Sequence, residues 1–165
     1  MNSMAGRWLA AGVAMAALAV VLLGARPPVA VAQAPDGTLG EDQRCLALSM
    51  YWEARGEGPE GMRAVGSVVL NRVESEDFPD TPCEVVYQGG ETPPCQFSWW
   101  CDGRSDTPRD AEQWRTALTL AAELLAHRGD DPTRGALFFH SADIPVPWRV
   151  ERARTARIRN HVYYR

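Results

Sequence analysis

Among the residues able to move a proton, the most informative group is Tyr51-Trp52-Glu53-Ala54-Arg55-Gly56-Glu57, which sets a carboxylate at the end of an apolar run and beside aromatic side chains. A carboxyl group so placed is partly desolvated. Desolvation disfavours the charged form and raises the pKa into the range of a general acid, so Glu53 is the candidate catalytic residue; the plainer alternative pairs it with Arg55 or Arg63. Glu57, beyond Gly56 in a glycine-rich stretch, reads as an exposed turn residue or a support to the site. All 17 basic side chains are arginine, and the absence of lysine excludes Schiff-base chemistry. The net charge of −4 makes nucleic acid a poor partner.

The second informative group is Cys95-Gln96-Phe97-Ser98-Trp99-Trp100-Cys101. Binding grooves for polar ligands use ring faces together with planar amides and hydroxyls. Gln96, Ser98 and Trp99 offer these on one loop, and Tyr51, His140, Trp148 and Tyr163 are further candidates for substrate binding. Phe97, Trp52 and Trp114 suit a core better. The four cysteines allow three pairings; the expected one joins Cys95 to Cys101 around the aromatic loop and Cys45 to Cys83. No Cys-x-x-Cys pair and no histidine at ligand spacing is present, so neither a metal nor another cofactor is expected.

These residues need elements to hold them. Helices are predicted over about Glu41–Ala54, from Pro59 onward with Met62, Val65, Val69 and Val73 on one stripe, and over a short segment from Pro82 to Tyr87 with Thr81 as cap. A longer helix has Thr107 as cap and Pro108 in its first position, with Ala111, Trp114, Leu118, Ala121 and Leu125 on the buried side. Ala136–His140 reads as a strand, and Thr155–Tyr164 as strand or hairpin. Helices first and strands last make the fold class α+β.

Ahead of this lies an apolar run, Trp8 to Ala25, behind Arg7 and before the small residues Val29 to Ala34. Residues 1–32 read as a secretory signal, with an uncleaved anchor as the alternative, residues 33–40 as a linker, and residues 41–165 as the working domain. The domain is therefore expected outside the cytoplasm, in the periplasm or cell wall, without stable membrane insertion once the signal is cut. From Gln33 to Trp148 nine arginines face twenty acids, a net of −11, whereas Arg149 to Arg165 has a net of +5. That basic stretch is read as an edge pairing with the acidic body, with a contact to an anionic polymer as the alternative.

The two groups named first, together with Gly61–Asn71 and Arg72, Phe78-Pro79, Cys83–Tyr87, Ala136–His140 and His161-Val162-Tyr163-Tyr164, resemble the catalytic domain of the bacterial cell-wall hydrolase family that includes the spore cortex-lytic enzymes. The resemblance runs from about Arg44 to Arg165. It implies a lysozyme-like, helix-rich core with a small C-terminal sheet, peptidoglycan glycan strands as partner, Glu53 as the essential acid, and lytic transglycosylase action beside N-acetylmuramic acid; separately, a monomer is expected. Two alternatives stand beside it. One is a wall-peptide cysteine peptidase with Cys95 as nucleophile and His140 as base; the other is a non-catalytic peptidoglycan-binding protein.

Overall fold

The computed structural model describes residues 40–146 and 151–165; the expected signal, all of the expected linker but Gly40, and Trp148 lie outside the described residues. Four helices, α1 (Glu41–Ala54), α2 (Gly58–Val73), α3 (Pro82–Val86) and α4 (Ala111–Ala126), precede three strands, β1 (Phe138–Ser141), β2 (Arg154–Ile158) and β3 (His161–Tyr164). This is the expected α+β order.

Helix α1 is buried nearly all round, because α2, α3 and α4 each pack on a different side of it. Its run Cys45-Leu46-Ala47-Leu48-Ser49-Met50-Tyr51 has two hydroxyls, and both are paired: Ser49 Oγ donates to Leu46 O at 2.8 Å, and Tyr51 Oη accepts from backbone N–H groups ahead of α4. Glu41 and Asp42 occupy the first turn, where the helix dipole favours negative charge. Helix α2 has two working faces. Met62, Val65 and Val69 join the helical core, while Ala64 and Val68 meet Ile158 and Tyr163 of the sheet. The same helix therefore couples the two halves of the fold.

Thr81 caps α3 as predicted, its Oγ1 accepting from Glu84 N at 3.3 Å. Helix α4 departs from expectation in its start and in its buried stripe. It starts at Ala111 with Asp110 as cap, Oδ1 accepting from Glu112 N and Gln113 N at 3.1 Å each, and not at Thr107 and Pro108. The reason is tertiary: Tyr51 Oη accepts from Arg109 N and Asp110 N at 3.0 Å, which holds that segment out of the helix. The buried stripe is also turned by about one residue, to Ala117, Leu120, Ala121 and Leu124, leaving Leu125 exposed. A Cβ on Gly66 of α2 would lie 2.7 Å from Leu124 Cδ1, so the bare glycine lets Leu124 be the contact residue.

The sheet is antiparallel with order β1-β3-β2. β3 is the central strand and all four of its residues are buried. Phe139 stands opposite Tyr163, and Ser141 opposite His161. Alternation along β3 puts His161 and Tyr163 on one face. Cys45 is bonded to Cys83 and Cys95 to Cys101, the pairing read from the sequence. The first bond ties α1 to α3; the second closes the loop that leads into a single 3₁₀ turn, Ser98–Cys101.

Candidate functional site

Glu53 lies on the last turn of α1, where the helix emerges from the core into a cleft of ≈ 340 Å³. Arg72 of α2, the loop Cys95–Ser98, residues Phe139–Ser141 of β1, Ile144 and His161 complete the walls. Among the described residues lining this cleft, Glu53 is the only carboxyl group. Burial pushes its carboxyl up to about 7 from an ordinary 4.5, with the Arg72 guanidinium pulling in the opposite direction. Desolvation wins, and the group is poised to give or take a proton near neutral pH.

Arg72 is the counterweight, and its own position is tightly determined. It is 2 % exposed, its Nε donates to Leu137 O at 2.8 Å, and its guanidinium lies 5.0 Å from the Phe78 ring, 5.7 Å from Phe97 and 5.8 Å from Phe138. With the Gln96 carboxamide oxygen turned toward it, Arg72 also donates from Nη1 and Nη2 at 3.0 and 3.2 Å. Ring faces and carbonyl oxygens thus replace the water that a buried cation loses. Burial brings its pKa down to about 10, against the pull of Glu53. Arg72 stays charged, and it makes Gln96 part of the wall.

Asn71, next to Arg72, braces the same approach to β1. Its Nδ2 donates to Ala136 O at 2.8 Å, Asp131 Oδ2 at 3.0 Å and Thr133 Oγ1 at 3.2 Å, and its Oδ1 accepts from Arg128. Burial acts to raise the Asp131 carboxyl, but donors from Thr133, Gly135 and Asn71 outweigh it and hold the group below its usual range. The turn entering β1 is thereby fixed to the helix that carries Arg72.

The residues proposed from sequence divide in two. Gln96, Ser98 and His140 line the Glu53 cleft. His140 is held by Tyr164, with rings stacked at 5.4 Å and Nε2 3.1 Å from Tyr164 Oη, and its Nδ1 is 2.7 Å from Ser141 O. Tyr51, Trp99 and Tyr163 do not line it. Tyr51 is fully buried and spends its hydroxyl on the approach to α4. Trp99 is 7 % exposed and lines a separate cleft with Trp52. Tyr163 is fully buried behind the wall, stacked on Phe139 at 5.8 Å. Burial, then the nearby Glu57 and Glu53 charges, push its hydroxyl far above the usual tyrosine range. Cys95 is bonded to Cys101 and offers no thiol, which removes the nucleophile of the peptidase alternative.

Sequence reasoning undervalued two groups. Glu57 is not an exposed turn residue: its side chain is 14 % exposed, and Oε1 lies 2.9 Å from His161 Nδ1, itself 9 % exposed. A Cβ on Gly61 would come within 2.5 Å of Glu57 Cβ, so the glycine makes room for this pairing. The available signal was period-2 alternation in His161-Val162-Tyr163, which places His161 on the face that Tyr163 shares. Arg72 was noted in a motif, but nothing local marked it as buried.

The chain is similar to known proteins over most of its length. A family model described as Cell Wall Hydrolase matches residues 56–164, beginning just after Glu53. The spore cortex-lytic enzyme of Bacillus subtilis is 34 % identical over 138 residues, 80 % of this chain and 40 % of that protein. The spore cortex-lytic enzyme of Halalkalibacterium halodurans is 32 % identical over 130 residues, 78 % of this chain and 36 % of that protein. The chain thus spans about two fifths of the length of the curated relatives it matches. The catalytic domain of the Bacillus cereus SleB protein superposes with a TM-score of 0.60 at 29 % identity, covering 79 % of this chain and 94 % of that one. The catalytic domain of the germination-specific lytic transglycosylase SleB from Bacillus anthracis gives 0.60 at 28 %, covering 80 % and 100 %.

Proposed function

Because the chain belongs to the cell wall hydrolase family, we propose that it cleaves the glycan strand of peptidoglycan beside N-acetylmuramic acid, as a lytic transglycosylase with Glu53 as its single acid and base. The observation that carries this reading is the desolvated Glu53 carboxyl, held near neutral pKa as the only carboxyl lining its cleft among the described residues. Hydrolysis of the usual kind uses two carboxyl groups roughly 5–9 Å apart. One suffices if water is not the nucleophile. Glu53 protonates the glycosidic oxygen as the bond to C1 breaks, and its conjugate base then takes the proton of the muramic acid C6 hydroxyl while O6 bonds to C1. The products are a 1,6-anhydro sugar and a free hydroxyl on the leaving strand, and Glu53 regains its proton.

Arg72 serves the interval between the two transfers. The carboxylate formed by the first step lies near a buried guanidinium, which stabilises it and lowers its basicity, while desolvation acts the other way and keeps the group able to take a proton near neutral pH. Gln96, Ser98 and His140 supply hydrogen-bonding groups for sugar hydroxyls and N-acetyl groups along the cleft. In this reading residues 1–32 direct export, residues 33–40 are a tether, and residues 41–165 act at the wall as a monomer. No helix among the described residues is long and apolar enough to cross a membrane.

The test is mass spectrometry of muropeptides released from purified sacculi by the wild-type protein and by Glu53→Gln. Anhydro-muramyl products from the wild type alone support the proposal. Reducing-end sugars would mean hydrolysis, cleaved stem peptides a peptidase, and equal digestion by the Gln variant would remove Glu53 from the mechanism.

A further inference from the structure

A second cleft, of ≈ 350 Å³, shares a wall with the first. Sequence neighbours line one each: Glu53 and Ser98 face the catalytic cleft, while Trp52 and Trp99 face the second. Adjacent Cα atoms are about 3.8 Å apart, so the clefts are next to each other. The second contains both signs of charge, from Arg55, Arg104 and Arg109 on one hand and Asp102 and Asp106 on the other. Among the described residues none of these five forms an ion pair, although they line one cavity.

The segment that carries most of these charges is pinned without regular secondary structure. Cys101 anchors one end by its disulfide, and Tyr51 Oη holds the other through Arg109 N and Asp110 N. Between them, Asp102 Oδ1 accepts from Arg104 N at 2.9 Å, and Trp52 Nε1 donates to Asp106 O at 3.3 Å. Arg55 is placed over the Trp52 ring at 4.6 Å and the Tyr51 ring at 5.1 Å. Burial and the neighbouring Asp102 and Glu91 raise the Asp106 carboxyl, a crowding that a ligand cation would relieve. A prearranged cleft with separated charges of both signs and two indole walls fits a ligand that carries both signs itself.

We propose that this second cleft binds the zwitterionic peptide stem of peptidoglycan, its carboxylates meeting the three arginines and its ammonium group meeting Asp102 and Asp106. The inference rests on the glycan reading of the Glu53 cleft: a stem leaving a muramic acid bound there has the shared wall to cross, and an extended peptide covers about 3.3–3.6 Å per residue. The site would distinguish peptide-bearing strands from bare glycan without touching the bond that breaks.

The probe is the free tetrapeptide L-Ala-γ-D-Glu-diaminopimelate-D-Ala, titrated into the full chain while the indole N–H NMR signals of Trp52 and Trp99 are followed. Saturable shifts of these two signals are expected, at least fivefold weaker binding for the peptide with amidated carboxylates, and a similar loss in Arg104→Ala/Arg109→Ala, whose side chains are solvent-facing. No saturable shift, or equal binding of the amidated peptide, overturns the proposal without any variant having to fold. On glycan substrates, the wild type should digest peptide-bearing strands faster than amidase-stripped ones, and the double variant should bring that ratio toward one; a wild-type ratio of one also overturns it. Should the wild type digest neither substrate, the glycan reading of Glu53 fails, and the peptide titration still decides the second cleft.

Discussion

Replacing Glu53 by Gln should stabilise the protein, and only above a definite pH. In the folded state the carboxyl titrates at about 7, and in the unfolded chain at about 4.5, its ordinary value. Between these values the folded protein binds more protons than the unfolded one, so stability falls as pH rises through this window. Below about pH 4.5 both states are protonated and the group costs nothing; above about pH 7 the cost is complete. At 1.36 kcal/mol per pH unit the gap corresponds to about 3 kcal/mol, and since the cleft leaves part of the carboxyl open to water, a gain of about 1–3 kcal/mol is expected for Glu53→Gln at pH 8. Gln has nearly the same shape and no proton to lose. Denaturant unfolding of both proteins at pH 4.5 and pH 8, with disulfides intact, gives the two differences directly. Near-zero difference at pH 4.5 with stabilisation at pH 8 is the expected pattern, alongside a loss of turnover of about 10²–10⁴. A difference that does not change with pH, or a variant less stable than wild type at pH 8, would refute the argument that desolvation dominates at Glu53.

The other perturbations act through neighbours. Arg72→Met removes the charge that opposes the rise at Glu53, so the alkaline limb of the pH–rate profile should move to higher pH, read from kcat/KM across pH 5–9. Asn71→Ala leaves the Ala136 carbonyl and the Arg128 guanidinium without this partner; a loss of about 2–4 kcal/mol is expected in denaturant unfolding, for several buried or part-buried bonds broken at once. Gly61→Ala forces a Cβ to within 2.5 Å of Glu57 Cβ; a cost of about 1–3 kcal/mol should be accompanied by a change in the His161 imidazole NMR signals as its carboxylate partner is displaced.

What the sequence revealed was local. The limits of α1, the Thr81 cap, the cysteine pairing and the burial of Phe97 follow from spacing and residue type. So does the desolvation of Glu53, because its aromatic and apolar neighbours are in the same few residues. The remainder depended on partners distant in the chain. Tyr51 looked like a sugar-binding ring, and only the approach of Arg109 and Asp110, almost sixty residues later, gives its hydroxyl a structural task. That same contact delays the start of α4. Glu57 looked like a turn residue because its partner, His161, arrives on the last strand. Tyr163 and Trp99 were read as substrate-binding rings, but neither lines the Glu53 cleft, because residue type and periodicity do not say which side of a wall a ring occupies.

The aromatic enclosure of Arg72 has a bearing on how the surroundings can tune the protein. Mobile ions screen exposed charges over about 8–10 Å at ordinary ionic strength, but they do not enter a space already filled by three phenyl rings and a carbonyl. The acidity of Glu53 is therefore set by groups that salt does not reach, while Arg55, Arg104 and Arg109 stand in solvent and are screened by it. Ionic strength separates the two clefts: adding salt weakens attraction at the outer one and leaves the proton chemistry of the inner one where it was.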